Sequence, residues 1–148
     1  MYLYDYDNRS MKLIIKITRK FDDLLQEEIK RNNLKVSFHK LLSEVYDHDG
    51  ANQYELARIL GLKAPSISAM LRQLESEEYV KRKVDPFDGR ATKVYITEYG
   101  SKVEERIKAF EDKLMESFLS NFTEEERFKL IDLLEVIDKT EVTAPQNL

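Results

Sequence analysis

At 148 residues, 42% hydrophobic and 35% charged, the chain is long enough for one hydrophobic core and too apolar for disorder. No apolar run approaches the roughly 18 residues of a membrane helix, and the N-terminal MYLYDYDNRS lacks the basic-then-apolar order of a secretory signal, so a cytoplasmic protein is expected. Zero cysteines exclude disulfides, thiolate zinc sites and cysteine redox sensing, and a net charge of −4 carries no overall basic signature.

Residues 10–31 place Ile14, Ile17, Phe21, Leu24 and Leu25 at helical 3/4 spacing, which predicts a helix stopped by Asn32 and Asn33. Upstream, Tyr2, Tyr4 and Tyr6 alternate with Leu3, Asp5 and Asp7 in the pattern of a short extended tail. A second helix is expected from Ser37 as N-cap, burying Phe38, Leu41, Leu42 and Val45 and ending in the turn Asp47-His48-Asp49-Gly50. A third follows, with Asn52 and Glu55 spaced as a capping box, Leu56, Ile59 and Leu60 as its buried stripe, and Gly61 as its stop.

Residues 53–79 have the spacing of a helix-turn-helix: small Ala57 where two helices approach, Gly61 able to take a positive φ, and Ile67, Met70, Leu71 and Leu74 facing inward. At 100° per residue the outward face of the second helix then carries Pro65, Ala69, Arg72 and Ser76, flanked by Ser66, Ser68 and Gln73. No acid occurs from Leu62 to Leu74, although the chain has 28 Asp and Glu. A slim, acid-free helix face of this kind suits a major groove about 12 Å wide. Residues 53–93 carry eight Lys or Arg against six acids, so the local excess of base is modest and the argument rests on which face lacks acids.

From Val80 the period changes to two. Val80 and Val84, then Val94 and Ile96, alternate with Lys81, Lys83, Lys93 and Tyr95, predicting two strands joined by the loop Asp85 to Ala91. Thr97 caps a long helix whose apolar face is Val103, Ile107, Phe110, Leu114 and Phe118. Thr123 with Glu126 forms a capping box before a last helix carrying Leu130, Ile131, Leu134 and Ile137, and the chain frays from about Thr143. His48 and His39 lack the close spacing of metal ligands, and no phosphate loop or nucleophile-base motif occurs, so neither a metal, a cofactor nor an enzyme is expected.

Two motifs together resemble the MarR family of winged helix-turn-helix transcriptional regulators across residues 37–100. One is the pattern Gln53, Ala57, Gly61, Ile67, Ser68. The other is Asp88-Gly89-Arg90 followed by Val94, Ile96, Thr97 and Gly100, which is similar to the family's wing signature. The resemblance implies a mainly α fold with a small β-wing, flanked by dimerisation helices at 1–36 and 101–148. It implies that Arg90 enters a minor groove, that Asp88 orients the wing, that Ser66, Ser68 and Arg72 meet phosphates and base edges, and that Thr97 and Gly100 build the wing-to-helix junction. Two positions depart from the family pattern: Glu78 stands where many relatives have Gly, and Gly89 where many have Arg.

The function expected is a sequence-specific DNA-binding regulator, acting as a repressor by occupying a pseudo-palindromic operator as a homodimer. Ser66, Ser68, Ala69, Arg72 and Gln73 form its recognition surface, and Lys81, Lys83, Arg90 and Lys93 its wing contacts. The resemblance also implies release by a small, commonly phenolic, effector, for which His39 and Tyr46 are candidate lining residues. A winged helix that binds protein rather than DNA is the rival reading.

Overall fold

The computed structural model describes residues 3–88 and 91–146, with side chains from Arg9 onward. The elements in order are α1 (Leu3–Arg31), α2 (Val36–Asp47), α3 (Gln53–Leu60), α4 (Ala64–Ser76), β1 (Val80–Val84), β2 (Thr92–Ile96), α5 (Glu98–Phe118) and α6 (Glu124–Asp138). The chain divides into two compact units, residues 1–112 and 113–148.

The first unit is built around α2, whose Phe38, Leu41, Leu42 and Val45 are all buried, as their spacing predicts. Leu56 and Ala57 of α3, Ile67, Leu71 and Leu74 of α4, Val80 and Val94 of the strands, and Val103 and Ile107 of α5 complete one core. Gly61 takes φ +63° at the end of α3, and the Leu62 N–H donates to the Ala57 carbonyl (2.9 Å), which turns the chain directly into α4.

Strands β1 and β2 pair antiparallel in the register Val80 with Ile96, Lys81 with Tyr95, Arg82 with Val94, Lys83 with Lys93 and Val84 with Thr92. The segment before α3 adds a short third rung, which the sequence pattern shows only as a turn. The Gly50 N–H donates to the Val94 carbonyl (2.8 Å), the Val94 N–H donates to the Ala51 carbonyl (2.9 Å), and Asn52 bridges Lys93. Gly50 sits at φ +85°, and a Cβ there would lie 3.1 Å from the Tyr95 ring.

Several local expectations change. Residues 3–8 continue α1 rather than forming an extended tail; Tyr4 and Tyr6 are therefore helical, while Tyr2 lies outside the described residues. The alternation there was too short to outweigh propagation of an established helix. Lys35, not Ser37, is the N-cap of α2, and its side chain makes no capping bond. Asn52 is the N-cap of α3 but forms no capping box: its side chain makes no capping bond, and its Oδ1 is buried without a hydrogen-bond partner among the described residues. Of the expected α3 stripe, Leu56 is buried and Leu60 packs partly buried against the core, but Ile59 is 46% exposed and Ala57 is buried in its place.

Along the first half of α1, Met11, Leu13, Ile15 and Ile17 are all exposed, Ile17 by 50%. In the second unit α6 begins with the predicted capping box: the Glu126 N–H donates to Thr123 Oγ1 (3.2 Å) and the Thr123 N–H to Glu126 Oε1 (3.0 Å). Arg127 adds a forked contact to Glu116 (2.8 and 3.0 Å). Helix α6 buries no residue, and Phe128, Ile131, Leu133, Leu134, Val136 and Ile137 are exposed on it. No described helix is long and apolar enough to cross a membrane.

Candidate nucleic-acid interface

Helix α4 starts after Lys63 with Pro65 in its first turn, where a missing N–H costs nothing. With Ile67, Leu71 and Leu74 locked in the core, the opposite face is fixed outward. Pro65, Ser66, Ala69, Arg72 and Ser76 are exposed, and Ser68 and Gln73 are half-buried. Gln73 Nε2 donates to Glu77 (3.1 Å) and Ser76 Oγ donates to the Gln73 carbonyl (2.8 Å), so the C-terminal turn is internally tied while Ser66, Ala69 and Arg72 stand open.

The wing presents two chemically distinct faces. Lys81, Lys83, Lys93 and Tyr95 share one, by the strand register. Lys81 and Lys83 are exposed, and Lys83 Nζ lies 5.5 Å from the Tyr95 ring centroid. Lys93, directly opposite Lys83, is half-buried with its Nζ 3.9 Å from Asp85 Oδ2, which offsets the repulsion of two facing cations. Arg82 points to the other face and is bound by Glu75 of α4, with Nη2 3.1 Å from Oε1 and its own N–H donating to Oε2 (2.9 Å). That hydrogen bonding holds the Glu75 carboxyl below its ordinary pKa against the opposing effect of partial burial.

The pairing of Arg82 with Glu75 is what sequence reading missed. Arg82 counts there as one more wing cation, and only the strand alternation separates it from Lys81 and Lys83. In the structure it joins the wing to α4. Of the wing signature, Asp88 is exposed at the loop, with its carbonyl accepting from the Ala91 N–H (3.0 Å), whereas Arg90 and Gly89 lie outside the described residues.

The junction into α5 is built as its residue types suggest. Thr97 Oγ1 accepts from the Gly100 N–H (2.9 Å) and donates to the Glu78 carbonyl (2.6 Å). A Cβ on Gly100 would collide with the Tyr79 carbonyl oxygen. Tyr79 is buried, stacks at 5.1 Å on Tyr99, and donates to the Asn33 carbonyl (3.2 Å). Burial first, and then hydrogen bonding with Tyr99, push its phenol pKa up, so it stays neutral.

A cleft of about 440 Å³ lies between α3, the start of α4 and the start of β2, bordered by Tyr54, Arg58, Ala64, Ile67, Ala91 and Thr92. A second, of about 470 Å³, is bordered by Phe21, Leu25, His39, Ser43, Glu44 and Glu111. Tyr46 is not on it; its ring instead lies 4.5 Å from Lys108 Nζ. No three metal-ligating side chains come together among the described residues.

The MarR family model matches residues 35–92. The HTH-type transcriptional regulator YpoP of Bacillus subtilis, itself uncharacterized, is 30% identical over 141 residues, covering 93% of this chain and 94% of that protein. The chain belongs to the MarR family. MarR proteins are DNA-binding transcriptional regulators and not enzymes. A second Bacillus subtilis regulator, YdgJ, is 34% identical over 95 residues, and the chain spans 58% of its length. Among solved structures, YusO of Bacillus subtilis superposes with a TM-score of 0.83 at 17% identity, covering 95% of this chain and 100% of that one, a likeness of fold. A variant of Staphylococcus aureus MepR bound to an oligodeoxyribonucleotide superposes with a TM-score of 0.70 at 24% identity, over 93% of this chain and 96% of that one.

Proposed function

We propose that the protein is a cytoplasmic transcriptional repressor that occupies a pseudo-palindromic operator as a homodimer. The observation that carries the DNA contact is the open, acid-free face of α4, on which Ser66, Ala69 and Arg72 are exposed; exposed Lys81 and Lys83 on the wing add cationic groups. Ser66, Ser68, Ala69, Arg72 and Gln73 then read or brace the major groove. Lys81, Lys83, Lys93 and Arg90 neutralise phosphates or enter the neighbouring groove, and Asp88 steadies the wing.

The dimer reading is supported by the apolar residues left in water on α1 and, separately, on α6, which one subunit does not cover. Residues 1–36 and 101–148 serve this role, and a two-fold dimer sets its recognition helices about one helical turn apart. The variant MepR bound to an oligodeoxyribonucleotide gives the fold a precedent for DNA contact. Release by a small molecule is proposed at the cleft beside His39, whose mixed apolar and polar lining suits an amphipathic organic ligand.

Selection of bound fragments from genomic DNA at two salt concentrations tests the reading. Enrichment of a two-fold-related sequence, with log K falling by about 0.9 per log unit of salt for each phosphate contact, is the expected result. Arg90→Ala should weaken binding without unfolding the protein. Absence of any selective enrichment would favour a protein-interaction module instead, and light scattering that gives a 17.5 kDa monomer at micromolar concentration would exclude the dimer.

A further inference from the structure

We propose that Phe87 is a DNA-contacting residue: an apolar wing tip that buries itself against the sugar edges of the minor groove flanking the recognition helix. This rests on the DNA-binding reading above and assigns to the wing a contact of a different chemical kind from its lysines.

Phe87 is 99% exposed, and Val84, at the end of β1, is 63% exposed. This is not a collapsed loop. The Asp85 N–H donates to the Ala91 carbonyl (2.8 Å), the Ala91 N–H to the Asp88 carbonyl (3.0 Å), and the Phe87 N–H to Asp85 Oδ1 (2.8 Å). Pro86 fixes its own φ between them. The loop is thus closed at its base and turned back at its tip, and it holds the ring away from any apolar neighbour. A ring so held gains from leaving water only when a partner arrives.

The partner follows from where the tip stands. Strand β1 starts four residues after the end of α4, and at the other end of the wing Ala91 and Thr92 border the same cleft as Ala64 and Ile67 in the first turns of α4. The wing therefore runs back beside the recognition helix, and its tip lies toward that helix's N-terminal end, the end that reaches base edges in helix-turn-helix proteins. A strand of five residues spans about 17 Å, more than the roughly 12 Å width of a major groove. A loop beyond it meets the next groove, the minor one. The exposed ammonium groups of Lys81 and Lys83 on the same wing favour a polyanion over an apolar protein surface, and the Asp85 carboxylate is already engaged by Lys93 and by the Phe87 amide. Deoxyribose carbons line the minor-groove walls and offer an aromatic ring the apolar contact that it lacks in the free protein.

The test uses the DNA sequence that the wild-type chain itself selects from a random pool. Binding is measured by fluorescence anisotropy at three KCl concentrations for wild type, Phe87→Ala, Phe87→Leu and Lys83→Ala, with hydroxyl-radical footprints of each complex. Phe87→Ala should bind about tenfold more weakly with an unchanged salt slope, and Phe87→Leu should stay within about threefold of wild type. Lys83→Ala should instead lower the slope by about 0.9. The minor-groove protection flanking the central footprint should fade in Phe87→Ala alone. Wild-type affinity and footprint in Phe87→Ala would overturn the proposal, as would a loss of affinity that Phe87→Leu does not rescue. A change in oligomeric state at unchanged affinity would also overturn it, by assigning the ring to a contact between copies. If the wild-type chain enriches no sequence at all, the regulator reading fails first, and that result is distinct from the others. Thermal melts of the variants should match wild type, since the ring touches no part of the core.

Discussion

Glu75 of the recognition helix and Arg82 of the wing are joined twice, once through the guanidinium (3.1 Å) and once through the Arg82 backbone N–H (2.9 Å). The contact ties the wing to α4, and in the DNA complex proposed above it acts on affinity without touching DNA. Glu75→Gln should lower operator affinity by about threefold to tenfold. It should cost only about 0.5 kcal/mol of stability, because the Glu75 side chain is 39% exposed and solvent screens the pair. The pH dependence has a definite sign. The folded carboxyl is held below its unfolded value of about 4.3, so its contribution is complete well above that value and is lost as pH falls through the depressed folded one. Urea melts at pH 7 and at progressively lower pH should therefore separate wild type from Glu75→Gln at pH 7 and narrow the difference as pH falls.

Gly100 packs without a side chain against the carbonyl of Tyr79, where a methyl group would overlap backbone oxygen rather than a flexible side chain. Relief requires moving β1 away from the start of α5, which also breaks the Thr97 contacts to Glu78 and Gly100. Gly100→Ala should cost about 2–3 kcal/mol, or roughly 5–10 °C in Tm for a chain of this size. A differential scanning calorimetry trace within 1 °C of wild type would refute this account of the junction.

The fold is legible in the sequence where a single period runs long enough. The α2 stripe Phe38, Leu41, Leu42 and Val45 and the alternation around Val80 and Val94 both read correctly because each face meets one core. Features that depend on residues distant in the chain do not read. The third rung at Gly50 to Asn52 exists only because Val94 and Lys93 arrive beside it, and the capping box that Asn52 and Glu55 suggest does not form. Within the candidate site, α4 was readable because burial of Ile67, Leu71 and Leu74 dictates what remains outside. The tie of Arg82 to α4 was not, because strand alternation puts Arg82 on the other face but does not show that Glu75, seven residues back, meets it there. Ile59 misleads for a related reason: α3 has only eight residues and buries a narrow strip, so an apolar residue one position off that strip stays in water.

Glu78 adopts φ +65°, a left-handed conformation that costs a residue with a Cβ roughly 1 kcal/mol. Its carbonyl is needed by Thr97, but its side chain is exposed at the end of the turn. Glu78→Gly should therefore stabilise the protein by about 0.5–1 kcal/mol, net of the extra freedom that glycine gives the unfolded chain. Glu78→Ala, which keeps the Cβ, should gain nothing. Chemical denaturation of the two variants side by side distinguishes relief of the backbone from removal of a charge next to Glu77. A gain in both variants would assign the effect to charge.

Glu104 of α5 is fully buried, and its nearest cationic candidate is His39 of α2, with Nε2 3.5 Å from Oε2. Neither carboxylate oxygen makes a hydrogen bond among the described residues. Lys108, one turn along α5, does not serve Glu104 first: its ammonium donates to Asp47 at 2.9 Å, the main reason that its pKa is raised. A buried acid this thinly satisfied is more costly than an apolar residue of the same size, whereas removing its one partner leaves a polar group stranded. Glu104→Met should accordingly leave stability unchanged or raise it by about 1–3 kcal/mol, and His39→Leu should lower it by about 3 kcal/mol. The double variant should recover most of the loss, because the stranded group is gone. Equal losses in the two single variants, measured by urea denaturation at neutral pH, would mean instead that the pair stabilises the fold on balance. His39 also borders the cleft that holds Ser43, Glu44 and Glu111, so a ligand entering there would meet the group that faces buried Glu104 at 3.5 Å.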